Sequence, residues 1–436
     1  MSTFKKNLLS VLIPVTATTL LIEANAQSIA ITNGKIHTMG AAGTLENATI
    51  LIEGHTITAV GRNLLVPEGT EIIDADGQPV TPGLMNSYTQ LALADSSAPG
   101  NGIGDQDYRA SNSQYGAAFD IRYGLNPRAI IIPIVRLHGI TRAISAPLAT
   151  HDLFAGYGAI IHLGGTPDMI VTSRVALFAD FGARGAQIAG GARDAAALKI
   201  TEAIQDALHF DRNRSRYERG QTRDYSLNRM DLEALVPAAK GDVIINIAAN
   251  RASDMRYLIE LKKQHGLNIV VRDGQEAWLM ADELAAAQIP VVLNPGINVG
   301  MEFSGFNATY SNAARLHAAG VLIAFSNVSN PHPSNPEIVR QLAGLAVAHG
   351  LPWEEALRAL TINPAKIWGL EENYGSLESG KDADIVVWDG DPLELMSYPL
   401  AVFIKGQRMP NDSRQIRLRD RYQTLPDAGG EPPAFH

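Results

Sequence analysis

The chain has no cysteine. Disulfide staples, thiolate nucleophiles and cysteine-based metal sites are therefore excluded. A chain of 436 residues has no need of cross-links, because burial is not limiting at this size. Charge is also scarce, at 19% Asp, Glu, Lys and Arg, and it is not basic: 36 Lys and Arg stand against 45 Asp and Glu, for a net charge of −9. An acidic chain without a basic run is a poor match for nucleic acid or anionic lipid, which leaves small molecules and proteins as partners. Beyond the N-terminus no run is apolar enough to span a bilayer. None of the 11 histidines occurs as His-x-His or His-Glu-x-x-His, spacings that bring two imidazoles to one metal ion.

Lys5 and Lys6 precede an apolar run from Leu8 to Ile22, and Ala24-Asn25-Ala26 gives a small-residue cleavage pattern before Gln27. Residues 1–26 thus read as a secretory signal peptide, which predicts an exported protein with no membrane span after cleavage. The competing reading, a retained anchor, is weakened by Thr16, Thr18 and Thr19. An exported, cysteine-free chain of this size fits a bacterial periplasm.

Residues 28–80 alternate short β-branched runs with turns at Asn33-Gly34, Glu53-Gly54 and Asp76-Gly77, and predict a small β-meander whose first strands cover 28–32 and 35–37. Residues 376–412 add a turn, a buried strand ending at Trp388 and a hairpin about Gly406. Between them, apolar runs at 140–146, 158–163, 242–249, 268–272, 290–293 and 321–326 alternate with helical patterns at 194–209, 253–265, 276–287, 311–318, 336–348 and 352–359, the rhythm of parallel βα units. In 253–265, Met255, Leu258, Ile259 and Leu261 make one apolar stripe. Two stretches break the rhythm: a polar loop at 95–125, and an arginine-rich segment at 211–227 that reads as a solvated helix end and loop. Residues 424–436, rich in Pro and Gly, read as a flexible tail.

Val80-Thr81-Pro82-Gly83-Leu84-Met85-Asn86-Ser87-Tyr88-Thr89-Gln90 resembles the first barrel strand of the amidohydrolase superfamily, in its imidazolonepropionase-like and periplasmic metal-dependent hydrolase-like forms, usually Pro-Gly-Leu-Ile-Asp-x-His-x-His. Pro82, Gly83 and Leu84 match; Asn86 replaces the Asp, and Tyr88 and Gln90 replace the histidines. Leu360-Thr361-Ile362-Asn363-Pro364-Ala365, Gly375-Ser376-Leu377, Gly380-Lys381-Asp382-Ala383-Asp384 and Asp389-Gly390-Asp391-Pro392 are similar to family segments in the same order. The resemblance implies an α/β fold, a TIM-like (β/α)8 barrel at 81–375 carrying a discontinuous β-sandwich built from 28–80 and 376–412. It also implies hydrolysis of amide or cyclic amide C–N bonds by one or two divalent ions, usually zinc, that polarise a carbonyl and activate water.

The ligand positions implied by that resemblance are altered throughout. After the first strand stand Tyr88 and Gln90, in the fifth strand Ala248, in the sixth Asp273, after the eighth Val328 or Asn327, and 176–180 contains no Lys or Glu. The expectation is no metal cofactor. Two functions follow from it: a hydrolase with a rebuilt site, or a non-catalytic protein that binds a small molecule or partners an active paralogue. By resemblance, a homo-oligomer is also expected.

Strand C-termini converge in a barrel with or without metal, so a pocket is expected from Tyr88, Gln90, His162, Asn250, Arg251, Asp273, Glu276, Asn294, Ser326 and His332. His162, Asp273 and Glu276 are the catalytic candidates. His162 reads as a general base or as a core histidine bonded to backbone. Asp273 and Glu276 titrate against Arg251 or His332, or form a structural ion pair. In Arg251-Ala252-Ser253-Asp254, Ser253 or Asp254 caps a helix, or Arg251 and the helix N-terminus hold an anion.

Overall fold

A computed structural model of the chain describes residues 28–94, 106–298, 305–327 and 335–423. The predicted signal peptide, the tail at 424–436, part of the loop at 95–125, Val328 and His332 lie outside these residues. The strands are β1 (Ser28–His37), β2 (Thr44–Glu53), β3 (Thr56–Arg62), β4 (Glu71–Asp74), β5 (Pro79–Pro82), β6 (Leu84–Thr89), β7 (Ile140–Ser145), β8 (Phe154–His162), β9 (Ile170–Asp180), β10 (Ile244–Ala249), β11 (Ile269–Asp273), β12 (Val291–Leu293), β13 (Ile323–Phe325), β14 (Ile385–Trp388), β15 (Pro399–Ile404) and β16 (Gln407–Arg408).

Both ends of the chain build one sheet, ordered β16-β15-β14-β5-β1-β2-β3 with β4 also on β1. The joining pair is β14 and β5, antiparallel, with Ile385 opposite Pro82 and Val387 opposite Val80. Its core, including Ile31, Ile50, Val80, Ile385 and Phe403, is separate from the barrel core. The two runs predicted at 28–32 and 35–37 are a single strand: Asn33 takes φ 55°, and the register against β2 shifts there without ending the pairing.

The second sheet runs β6 to β13 in chain order and curls into a TIM-like barrel. Its strands are parallel except β8, which is antiparallel to both β7 and β9. The cause is the length of the connections. Residues 146–153 and 163–169 are too short for the crossover, a dozen residues or more, that a parallel pair requires. The C-terminal end of β8 therefore points away from those of the other strands.

β13 and β6 are not paired directly, and the Leu360 motif fills the seam. Ala359 and Leu360 carbonyls accept from Phe325 N (3.2 Å) and Met85 N (2.7 Å), and Asn363 donates to the Ile323 carbonyl (3.0 Å). Asn86 spans the same seam, donating to Asn327 Oδ1 at 2.7 Å.

The other motifs fasten the barrel to the first sheet. A Cβ on Gly83 would stand 2.1 Å from Thr141 Oγ1, so only glycine fits there. Its N–H donates to the Asp384 carbonyl (2.8 Å). Arg142, 1% exposed, donates from Nε to Asp384 Oδ2 (2.9 Å), pairs with Asp382, and lies over the Tyr374 ring.

Helices pack outside the barrel. In Ala252–His265 the residues Met255, Leu258 and Leu261 are buried as the stripe predicts, while Ile259 is half-buried. The predicted helix at 276–287 is a 3-10 turn, Ala277–Met280, followed by a short helix, Ala281–Ala286. The arginine-rich stretch is more ordered than a solvated loop: it contains a short helix, Arg214–Glu218, and Arg223 pairs with the fully buried Asp206, which also accepts from Ser226 N and Oγ (2.7 and 2.8 Å). Among the described residues no helix is long and apolar enough to cross a membrane.

Candidate functional site

Register fixes what faces the barrel interior. Phe178 on β9 pairs with Asn246 on β10; Asp180 and Arg272 both pair with Ala248; Arg272 also pairs with Val292. Side chains alternate along a strand, so Phe178, Asp180, Asn246, Ala248 and Arg272 share one face. Ala248 contributes only a methyl group, and the long Arg272 side chain uses the room. Its Nη1 donates to Asn246 Oδ1 (2.7 Å) and Nη2 to the Ala179 carbonyl (3.4 Å). Its guanidinium carbon stands 4.2 Å from the Tyr88 ring centre and 6.0 Å from that of Phe178. Arg272 is 5% exposed, so the barrel interior holds a nearly dry cation stacked on an aromatic face.

Asp273 breaks the alternation. By parity it would face outward with Ala249 and Leu293, but its φ of 74° turns the backbone left-handed at the strand end. Its Oδ2 comes within 3.9 Å of Arg272 Nε. Burial pushes its carboxyl pKa up to about 6; Arg272 opposes the rise and Asp180 adds to it. Asp180 itself is engaged, accepting at Oδ1 from Gly182 N (2.9 Å) and Gly185 N (3.0 Å). Burial also raises the Tyr88 phenol pKa. Tyr88 OH and Asn246 Nδ2, on two residues that touch this cation, are buried without a hydrogen-bond partner, and so is Gln90 Nε2.

The remaining expected pocket residues serve backbone. Asn250 Oδ1 accepts from Gln275 N (3.4 Å), Asn294 Oδ1 accepts from Gly296 N (3.0 Å), and Ser326 Oγ donates to the Leu293 carbonyl (3.5 Å). Glu276 is no free base. Its Oε2 accepts from Ala252 N (3.1 Å), and its Oε1 accepts from Asn307 N (3.3 Å) and Nδ2 (3.0 Å). Glu276 thus fills the helix N-terminus where an external anion was an alternative; the N-cap residue is Arg251, and Asp254, not Ser253, supplies the capping contact from the third helical position by accepting from Arg251 N (3.2 Å). Among the described residues Arg251 forms no ion pair with Asp273 or Glu276, whose partners are those just named.

His162 is not at the mouth. It ends the reversed strand β8 opposite Arg142, near the first sheet. Its Nε2 meets the Asp168 carbonyl (3.1 Å), Gly164 N donates to its Nδ1 (3.2 Å), and burial, with Lys405, lowers its pKa. It is a core histidine bonded to backbone. Conversely, sequence reasoning passes over Arg272, Asp180 and Asn246. The available signal is a charge inside the apolar run Ile269-Val270-Val271-Arg272, since an arginine is rarely buried without a task. Among the described residues, no three His, Asp or Glu side chains converge as a metal-holding group.

A model of the amidohydrolase family matches residues 183–412. The chain is 25% identical over 371 residues to the imidazolonepropionase of Thermoplasma acidophilum, covering 81% of this chain and 85% of that one. It is 23% identical over 397 residues to amidohydrolase tasK of Hapsidospora irregularis; that match takes in 83% of this chain but only 40% of the relative, so the chain spans under half of that longer protein. The solved structure of an amidohydrolase from Thermotoga maritima aligns with a TM-score of 0.77 at 25% identity, covering 88% of this chain and 99% of the other. The matched segment is more than half of the chain and contains the Leu360 motif that closes the barrel seam and Asp384, which receives Gly83 N and Arg142 at the first sheet. The chain belongs to the amidohydrolase family.

Proposed function

We propose that this protein is a metal-independent member of its family that binds a small molecule at the barrel mouth, with Arg272 as the resident cation. The observation that carries the reading is the guanidinium seated 4.2 Å from the ring of Tyr88, the residue at the position of a first-strand histidine. A catalytic zinc site takes at least three good protein donors. The positions implied by the family resemblance offer a buried phenol, an amide, a methyl, one carboxyl and a second amide, at Tyr88, Gln90, Ala248, Asp273 and Asn327. That donor set does not fit a divalent ion, and a fixed guanidinium in the same interior repels one. A guanidinium binds a carbonyl or carboxylate oxygen well but does not make hydroxide available near neutral pH. Recognition of an amide or carboxylate therefore suits these residues better than metal-type hydrolysis, whether the protein acts alone or beside an active paralogue.

The test is elemental analysis of protein purified without a metal-affinity tag, together with melting curves with and without chelator. Metal below about a tenth of an equivalent, and no chelator effect, are expected. Near-stoichiometric zinc, iron or manganese would overturn the proposal. A second reading, hydrolysis of C–N bonds by a rebuilt site, is favoured by one observation: the Asp273 carboxyl, with its pKa pushed up to about 6, suits a general base near neutral pH. Amide turnover that Asp273→Asn abolishes would establish it. From the pattern at 1–26 we place the mature protein in the periplasm; an uncleaved chain in the cytoplasmic fraction would count against that placement.

A further inference from the structure

Among the described residues four arginines are buried, and three of them are each held by two or more groups. Arg142 has two carboxylates, Arg272 has Asn246, Ala179 and the Tyr88 face, and Arg340, though its Nε has no partner, donates to the carbonyls of Pro392 (2.8 Å), Glu394 (2.6 Å) and Ser397 (2.9 Å). Arg136 is the least fastened of the four. It is 6% exposed, its Nη1 makes one long bond to the Leu163 carbonyl (3.3 Å), and its Nε has no partner. Among the described residues it forms no ion pair. The carboxylate whose field reaches it, Asp412, is held by Arg417 Nε at 2.7 Å and Nη2 at 2.5 Å. A buried charge without a counter-charge costs several kcal/mol, roughly, so a fold that keeps one has a use for it.

Arg136 borders a cavity of about 350 Å³. It closes the helix Ile131–Arg136 just before β7, so the cavity lies at the end of the barrel where the parallel strands begin, against β15 and β16, away from the mouth. A second arginine, Arg408, and the amide of Asn411 share the lining; the rest is largely apolar, with Leu137, Val402 and Met409. Arg408 is exposed, so one wall of the cavity is wet and the Arg136 wall is dry. The volume lies within the range of small-ligand sites, and a mostly apolar wall with a few fixed polar groups is their usual composition.

We infer that this cavity binds a small organic carboxylate, with its charged end between Arg136 and Arg408 and its hydrocarbon body on Leu137, Val402 and Met409. Such a ligand supplies the counter-charge that Arg136 lacks and covers apolar surface at the junction of barrel and first sheet. A bare inorganic anion answers only the first need, and a neutral aromatic only the second.

Benzoate, benzyl alcohol and inorganic phosphate separate these cases. Calorimetric titration of the full chain should detect benzoate at a Kd of about 1 mM or tighter, with a matching rise in melting temperature by mass action. Benzyl alcohol and phosphate should bind at least about tenfold more weakly. Arg408→Glu reverses an exposed charge without touching the core, and should weaken benzoate about tenfold or more. Arg136→Met should abolish the titration while leaving the free protein as stable as wild type, or more so, because a charge without a counter-ion has been removed. No benzoate binding up to about 10 mM, equal binding of benzyl alcohol or phosphate, or an unchanged titration in Arg408→Glu would each overturn the inference. If Arg136→Met fails to fold, the arginine has a structural role and the inference is overturned as well.

Discussion

Replacing Asp273 with Asn should stabilise the protein at alkaline pH and not in acid. The Asp273 carboxyl, 3.8 as a free side chain, is raised to about 6 by burial, with Asp180 adding to the rise. Between those two pH values the unfolded chain has lost this proton while the native state retains it. Stability therefore falls as pH climbs across the window, and the penalty is complete above the folded-state value. The shift is about two units, worth at most about 3 kcal/mol; with 20% of the side chain exposed, the working figure is on the order of 2 kcal/mol. Asparagine cannot ionise and, like aspartate, it is tolerated in the left-handed region, so the substitution removes the penalty without adding backbone strain. For a chain of about 400 residues unfolding with about 2 cal/mol/K per residue, 2 kcal/mol corresponds to a rise of about 2–3 °C in melting temperature. Scanning calorimetry from about pH 4 to about pH 8 should show the two proteins diverging through the window, with Asp273→Asn higher at the alkaline end. Parallel curves, or a variant less stable than wild type at about pH 8, would mean that Arg272 holds Asp273 ionised and that the carboxyl is no near-neutral base.

The other variants probe the junction and the interior. Arg142→Met should cost about 3–5 kcal/mol in denaturant unfolding, because Asp384 and Asp382 then face each other with their shared cation gone. The double variant Tyr88→His with Gln90→His restores two imidazoles yet should bind less than about a tenth of an equivalent of zinc, since Arg272 and Ala248 are unchanged; a stoichiometric zinc signal would refute the account of the interior. His162→Gln should lower stability by about 1 kcal/mol through its backbone bonds while leaving ligand binding at the mouth unchanged, and altered affinity at the mouth would contradict the reversed direction of β8.

Much of the fold was legible because the motifs are contacts. Gly83 is forced by Thr141, Asp384 is spent on Arg142, and Leu360 gives its carbonyl to the first barrel strand, so each leaves a mark in the sequence. Direction is harder to see. An apolar run does not record which way its strand points, and only the shortness of 146–153 and 163–169 betrays the hairpins that reverse β8 and carry His162 to the other end. β9 was hidden by its own first half, where Ser173 and Arg174 are exposed and break the apolar signal until Ala176. At the candidate site, the altered ligand positions include Tyr88 and Asp273, but the residue between them in space, Arg272, comes from a position that strand parity assigns and motif alignment does not.

The same contacts make the fold independent of the residues at the positions where the family resemblance implies ligands. Apart from Asn86 with Asn327, the motif bonds described above avoid the implied ligand positions. Gly83 with Thr141, Arg142 with Asp384, and Leu360 with Met85 all lie at the seam or at the junction with the first sheet, so altering the donors leaves them untouched. What these residues do demand is a partner for the polar interior. Asn246 Oδ1 and the Tyr88 face lie on the strands lining that space, and without a cation they would sit desolvated and unmatched. Arg272 answers both, through a 2.7 Å bond and a ring contact, at the cost of carrying its own charge into the barrel. Asp273, turned back by its left-handed backbone, is the nearest carboxylate that could balance that charge, and at 3.9 Å it does so only in part. The interior is thus left with a cation not fully balanced by the chain, which is the condition under which a carbonyl or carboxylate from outside has something to gain by entering.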